Sequence, residues 1–440
     1  MQQLLHLLIV DRERREGLAT MRGSRWLLPI VCCPECTRAG PLAVRWLAER
    51  GLTGHVVGQW LGRITPPVRV MDWLVVVDAR RLRLSAAPPD MRWTRLEQLK
   101  ASASLVDYQQ WALEKAVPRD LPCVAGPFGS MTWFDDARDW LNVLAGPPTD
   151  SPVCYKATPY EVVLGIAAAR GTVYFKGLTG DRHAEATLTS MLAGELPKSF
   201  ARTLALERRA DESVWWLTAH CPGTTLAADL TRERSVLVAA NLARIQRHFS
   251  SRTMGLGIPE ADLAAAAAWA RALVAEHADP ETANRCDASL ARVHRAVGTA
   301  DLPRSWVPLD LAAGNVVVDD ESVRFIDLDQ SRVGSVPLAP STLLRRLRRM
   351  RAGSPSSPWI DAVHRAYEQS WTPDLALRER WSDFESASVL LECHLGWQQL
   401  SLKTERGEVH GARDLAAIST AQRLARALDN SSLDSAHGSR

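Results

Sequence analysis

The chain has 440 residues, 46% of them hydrophobic, which is enough for two or three domains with substantial buried cores. A formal net charge of +3 over that length gives no reason to expect a nucleic acid or a membrane surface as partner. No run approaches the roughly 18 apolar residues of a membrane span, and the opening MQQLLHLLIVDRERREG lacks the basic start and small-residue cleavage site of an export signal, so the cytoplasm is the expected location.

In chain order, LLHLLIVD and RWLLPIVC predict strands, and PLAVRWLAERGL predicts a short amphipathic helix stopped at Gly51. HVVGQWLGR and DWLVVVDAR predict two more strands, and 104-SLVDYQQWALEKA-116 a helix. The eight cysteines read as reduced thiols; Cys33-Pro-Glu-Cys36 has metal-type spacing but no second pair to complete a tetrahedral shell, so Cys32, Cys33 and Cys36 read as loop cysteines. A short helix about 131–144 precedes 145-AGPPTDSP-152, whose glycine and paired prolines continue neither a helix nor a central strand and mark a boundary.

Short strands then run from Val153 to Leu217, among them VVLGIAAA and TVYFKG joined at Arg170-Gly171 as a hairpin. From about Ala227 the pattern turns helical, through 260-EADLAAAAAWARALVAEHAD-279, 337-PLAPSTLLRRLRRM-350, 359-WIDAVHRAYEQSW-371 and 384-FESASVLLECHLGWQQLSL-402. A β-rich part is thus followed by an α-rich part, and residues 431–440 have the composition of a disordered tail. No repeat of 20 to 50 residues is visible.

The chemistry concentrates in 308-PLDLAAGNVVVDDESVRFIDLDQ-330. Val316–Val318 and Val323–Ile326 predict a tight hairpin, with Asn315 entering it, Asp327 leaving it and Asp310 in the loop leading in. Pairing brings the three polar side chains to one patch. Turn residues alone explain Asn and Asp at a hairpin mouth, but a second constellation lies far upstream. In 172-TVYFKGLTGDRHAEATLTSMLAGELP-197, Lys176 closes an apolar strand, Asp181 is placed to cap a helix, and Glu185 lies on that helix. Only six lysines occur in the chain, which gives Lys176 weight. A carboxylate and an amide that hold Mg²⁺, a separate carboxylate for the acceptor hydroxyl, and a strand lysine for the phosphates are the parts that phosphoryl transfer from ATP requires.

The spacing D-x4-N, hairpin, then IDLD resembles the aminoglycoside and choline phosphotransferase family, over about residues 149 to 430. The resemblance implies Asp310 as catalytic base, Asn315 and Asp327 as metal ligands, and Asp329 as the second acid that orients the loop or reaches the metal. Lys176 and Glu185 become the phosphate-binding pair, and backbone groups near Thr218, Ala219 and His220 in 214-VWWLTAHCPGTTL-226 the seat of adenine. The loop over the phosphates falls near 156-KATPYEVVLG-165, which has no GxGxxG. Pro308-Leu309 and Ala312-Ala313 depart from the family's loop, which has His-Gly before the aspartate and His-Pro after it.

The N-terminal order LLIVDRERREG, SRWLLP, RAGPLAVRWLAERGLTGHVVGQWLGR resembles a Nudix hydrolase. Of its glutamate cluster only Glu49 survives, with Arg45 and Ala48 at other acid positions, which implies a non-catalytic module that covers the cleft, binds a ligand or holds a homodimer.

The resulting expectation is an α+β chain: a Nudix-like domain (1–120), a linker with a short helix (121–148), and a two-lobed protein-kinase-like phosphotransferase with a β-rich small lobe (149–222) and an α-rich large lobe (223–430). It uses ATP and Mg²⁺ on a small-molecule hydroxyl acceptor. The alternative is a pseudokinase-type nucleotide-binding regulator without turnover, and transfer of AMP is a third reading. The arginines of 345-RRLRRMR-351 would repel a polycationic acceptor and point to a neutral or anionic one, unless they form a solvated helix face.

Overall fold

The structure, a computed structural model, describes residues 3–11, 14, 16–22, 25–33, 39–65, 70–80, 90–101, 126–128, 133–150, 152–179, 182–298, 302–320, 322–350, 357–371, 377, 380–405, 417–425 and 428. The helix expected over 104–116, Asp181, Cys36 and the tail 431–440 lie outside the described residues. Two compact units emerge: Met1–His183 with Thr203–His220 and Leu402–Arg413, and Ala184–Arg202 with Cys221–Ser401 and Asp414–Arg440.

In the first unit, β1 (Gln3–Asp11), β2 (Glu16–Arg22), β3 (Arg25–Leu27), β4 (Ile30–Cys33), β5 (Thr53–Thr65), β6 (Val70–Arg80) and β7 (Arg92–Arg95) form a seven-stranded sheet. β1 runs parallel to β6 along one edge and divides the other between β2, at Ile9–Asp11, and β4, at Gln3–His6. A strand so enclosed is buried on both faces, which is why its sequence is a nearly continuous apolar run. The stretch RWLLPIVC, expected as one strand, is two: Pro29 has no N–H for a ladder, and the chain switches there from β2 to β1. Cys32 and Cys33 sit within β4, not in a loop. Helices α1 (Ala39–Ala48) and α2 (Leu96–Lys100) follow β4 and β7, and α1 ends before Gly51, whose φ is 68°.

After α3 (Trp133–Ala145) come β8 (Val153–Thr158), β9 (Glu161–Ala168), β10 (Gly171–Leu178), β11 (Thr203–Arg208) and β12 (Val214–Ala219), an antiparallel sheet in the order β11-β12-β10-β9-β8. The hairpin between β9 and β10 turns on Ala169-Arg170, with Ala168 opposite Gly171. Both sheets of this unit contribute to one apolar core, in which Leu5, Leu7 and Ile9 are continuous with Trp133, Phe175 and Leu217. The packing is close: a Cβ on Gly40 of α1 would lie 2.2 Å from the Cys154 carbonyl of β8. Burial pushes the Cys154 thiol up to about 12, so it is an unreactive packing group.

The second unit is mainly helical: α4 (His183–Glu195, from Ala184 onward), α5 (Arg232–Phe249), α6 (Leu263–His277), α7 (Pro280–Gly298), α8 (Leu338–Met350), α9 (Ser357–Gln369) and α10 (Trp381–Glu405). Between them lie β13 (Thr224–Thr225), β14 (Arg304–Pro308), β15 (Val316–Val318), β16 (Val323–Phe325) and β17 (Ser331–Ser335), in the ladders β13-β15-β16 and β14-β17. Gln246 of α5 ties the layers together. Its side-chain amide donates to the Trp306 and Val336 carbonyls at 2.9 and 3.2 Å, and its Oε1 accepts from the Tyr367 hydroxyl at 2.6 Å. A buried amide is tolerated only when so fully satisfied. Among the described residues no helix is long and apolar enough to cross a membrane.

In β10, a Cβ on Gly177 would meet the Phe128 ring at 2.5 Å, and that ring is itself locked against Trp133. Gly177→Ala is therefore expected to lower the unfolding free energy by about 1–3 kcal/mol, the usual cost of overpacking, read as a shift in the urea midpoint without a change in slope.

Candidate active site

The loop between β14 and β15 is closed by its own backbone. The Ala312 N–H donates to the Asp310 carbonyl at 2.8 Å, and the Asn315 N–H to the Ala312 carbonyl at 2.9 Å, giving a single 3-10 turn over Ala313–Asn315. The hairpin that follows pairs Val316 with Phe325 and Val318 with Val323. Asp319 closes its tip, accepting from the Ser322 N–H at 2.6 Å. One further bond, from the Ile326 N–H to the Asn315 carbonyl at 3.0 Å, brings the two ends of the hairpin together, so Asp327 leaves beside Asn315.

Asn315 donates through Nδ2 to the Asp310 carbonyl at 3.1 Å, which leaves its Oδ1 outside that bond. Asp327 has φ 61°, a left-handed conformation uncommon outside glycine and one that costs free energy unless its surroundings enforce it. The enforcing contact is next in the chain: the buried Leu328 donates its N–H to Glu185 Oε1 of α4 at 3.2 Å, and Glu185 is only 5% exposed. Asp329 accepts from the Gln399 amide of α10 at 3.4 Å. The Asp310 carboxyl is pushed up to about 6, chiefly by burial, with Asp329 and Asp327 adding to the rise and Arg346 opposing it.

Asp310, Asn315, Asp327, Asp329 and Glu185 thus meet within the second unit. Lys176 and the segment Thr218–His220 belong to the first. There Lys176 stands across the ladder from Trp216, its ammonium 5.6 Å from that ring, on the opposite face from Phe175 and its aromatic partners Trp140 and Trp215. Thr218 and Ala219 end β12, which lies between β11 and β10, and the His220 N–H is taken up by the Thr172 carbonyl at 3.2 Å. The segment 156–165, expected over the phosphates, is a tight β8–β9 turn. Thr158 Oγ1 accepts from the Glu161 N–H at 3.0 Å, Lys156 pairs with Glu161 at 2.6 Å, Arg182 pairs with the same carboxylate, and the Phe128 N–H holds the Pro159 carbonyl at 3.1 Å.

The donor set fits a hard cation. Asn315 Oδ1, Asp327 and Asp329 are oxygen donors, as Mg²⁺ requires. Among the described residues no group of three or more His, Cys, Asp or Glu is placed to hold a metal ion; Mg²⁺ in phosphoryl transfer takes only one or two carboxylates and completes its shell with water and phosphate oxygens.

Three residues of this region, Glu392, Gln330 and Arg423, escaped sequence reasoning, and a fourth, Arg346, belongs to the arginine run that the sequence marked. Arg346 of α8 places Nη2 2.5 Å from Asp310 Oδ1 and 3.4 Å from Glu392 of α10. Glu392 also pairs with Arg345 and, at 2.8 Å, with Arg423. Gln330 lies beside them on the wall of a small cavity. At its described positions that run is not a solvated face: Arg345 is only 8% exposed, and Arg348 pairs with Glu385. No pattern marks Glu392, Gln330 or Arg423.

No protein-family model and no curated protein matches the chain. Solved structures do. An amicoumacin kinase in complex with AMP-PNP and Ca²⁺ is similar at 12% identity and a TM-score of 0.49, over 66% of this chain and 93% of that one. An aminoglycoside 2'-phosphotransferase-IIIa mutant in a GDP complex matches at 12% identity and 0.49, over 68% and 97%. A choline/ethanolamine kinase family protein from Mesorhizobium loti matches at 16% identity and 0.46, over 68% and 98%. Each is a partial likeness of backbone; the chemistry is read from this chain's own residues.

Removing the Glu185 carboxylate leaves the buried Leu328 N–H without that acceptor. Glu185→Ala is expected to cost about 1–3 kcal/mol, and Glu185→Gln, which keeps a carbonyl oxygen, markedly less, by chemical denaturation of the two variants beside the wild type.

Proposed function

We propose that the chain is an ATP- and Mg²⁺-dependent phosphotransferase that moves the γ-phosphate to a hydroxyl of a small molecule. The observation that carries this reading is the closure of the β15–β16 hairpin, which sets Asn315 and Asp327 side by side and bonds Asn315 back to the Asp310 loop. Asp310 is the base that orients the acceptor hydroxyl and takes its proton, and Asn315, Asp327 and Asp329 hold the metal. Bound Mg²⁺ supplies positive charge to the phosphate oxygens. Lys176 serves the α- and β-phosphates and the backbone near Thr218, Ala219 and His220 the adenine, in a two-lobed kinase-like arrangement with residues 149–222 as small lobe and 223–430 as large lobe. The N-terminal 1–120 is read as a Nudix-like module without hydrolase activity: Glu49, its one remaining box acid, is exposed beside Arg50.

One observation favours a second reading, a nucleotide-binding regulator without turnover: the Arg346 guanidinium occupies the Asp310 carboxylate at 2.5 Å. Both readings are decided by one set of measurements. ATP–Mg²⁺ is expected to raise the melting temperature of the wild type, and a mass-spectrometric screen of a metabolite mixture to find acceptors heavier by one phosphate. Asp310→Ala is expected to lower kcat by about 10²–10⁴, the worth of a positioned base, Asp327→Ala to abolish transfer, and Lys176→Ala chiefly to raise KM for ATP. Full activity in Asp327→Ala ends the phosphotransferase reading; nucleotide binding with no phosphorylated product from any acceptor establishes the regulator.

A further inference from the structure

Beside Asp310, within the second unit, lies a cavity of about 190 Å³ whose walls include Gln330, Arg346, Glu392, Trp397, Leu400 and Arg423. It is small against the roughly 300–1,000 Å³ of pockets that take drug-sized ligands, so it suits the end of a small metabolite better than a multi-ring sugar. Its polar wall is unbalanced in charge. Arg346 and Arg423 stand on it against the carboxylate of Glu392, which a third guanidinium outside the wall, Arg345, also meets; Arg346 is shared with Asp310. Donors remain unspent after that pairing: Arg423 Nε and Arg345 Nε and Nη1 are buried without a hydrogen-bond acceptor. Buried guanidinium N–H groups without acceptors are costly. The rest of the wall includes Trp397, Leu400 and Gln330, whose side-chain oxygen is buried without a donor and suits a hydroxyl of the ligand, while the one carboxylate is already shared three ways.

From this we infer that the acceptor is a hydroxylated anion, its carboxylate or phosphate bound by Arg423 and Arg346 in this cavity, and that Arg346, drawn to that anion, lets go of Asp310. The inference rests on the phosphotransferase reading, because it assigns the class of acceptor and a positioning role to Arg346. Arg346 now spans Asp310 and Glu392 through one nitrogen, Nη2, at 2.5 and 3.4 Å. A second anion in the cavity competes for it. A planar guanidinium binds carboxylate or phosphate in a bidentate fork, which a single shared nitrogen does not satisfy. Asp310 is then free to accept the hydroxyl proton only when the correct charge is in place, so acceptor selection and exposure of the base are one event. A neutral polyol leaves Arg346 where it is.

The test measures binding of D-glycerate, sn-glycerol 3-phosphate, glycerol and the polycationic aminoglycoside kanamycin to the full chain by isothermal titration calorimetry, at low and high KCl. At least one of the two anions is expected to bind ten-fold or more tightly than glycerol, with an affinity that falls as KCl rises. Glycerate alone identifies a carboxylate acceptor, glycerol 3-phosphate alone a phosphorylated one. Arg423→Gln is expected to weaken the anion ten-fold or more and Arg423→Lys, which keeps the charge and loses the fork, by less. Equal binding of glycerol or kanamycin, no binding of either anion, or unchanged anion affinity in Arg423→Gln overturns the inference; if that variant does not fold by circular dichroism, the discrimination among the four probes by the wild type decides. ATP–Mg²⁺ affinity of the wild type is measured separately: its absence falls on the phosphotransferase reading, and failure of the anions with ATP binding intact falls on the acceptor assignment.

Discussion

The register of the β15–β16 hairpin is the constraint on which the candidate site depends. Val316 and Phe325 are fully buried opposite one another, with the Phe325 ring packed against Phe200 and Trp306. Strand side chains alternate faces, so a slip of one residue would take both out of this aromatic cluster to the opposite face, where Val317 packs with Ala201 and Cys221, and carry Asn315 away from Asp327. The apolar core therefore places the side chains of Asn315 and Asp327. Core packing and site geometry are the same interaction seen from two sides, and the left-handed backbone of Asp327 is held between the hairpin and the Glu185 bond to Leu328.

The helix α8 adds the second layer. Leu343, Leu344 and Leu347 lie in the core, and the intervening Arg345, Arg346 and Arg348 face carboxylates from α10 and the Asp310 loop. Half-buried pairs of this kind are poor stabilisers, since desolvation offsets most of the Coulombic gain. They are strong determinants of which charges fit. Burial is the largest influence on the Asp310 carboxyl, raised further by the neighbouring aspartates and opposed by Arg346.

The first unit is organised on a different principle. The seven-stranded and five-stranded sheets share one apolar core, with Phe128, Trp133 and Phe134 packed into it beneath β10. The β8–β9 turn, where the resemblance puts the loop over the phosphates, is bound at Thr158, Glu161 and Pro159, the last by the Phe128 backbone. A turn tied by side-chain and backbone bonds trades the freedom of glycine for a fixed position.

Much of this architecture was legible in the order of residues. Local rules suffice for the continuous apolar run of β1, the helix α1 ending before Gly51, the β-rich stretch before a helical one, and the hairpin flanked by Asn315 and Asp327, because each rests on periodicity or turn chemistry within a dozen residues. The split at Pro29 was overlooked because two adjacent strands with different partners look like one apolar stretch. The contacts made at long range lie beyond such rules: Glu185 against the Leu328 N–H, Gln246 between Trp306 and Val336, and Arg346 upon Asp310. An arginine on a helix carries no mark of the carboxylate it will meet, since that choice is made by which helix faces pack together, and only burial of the whole chain makes it.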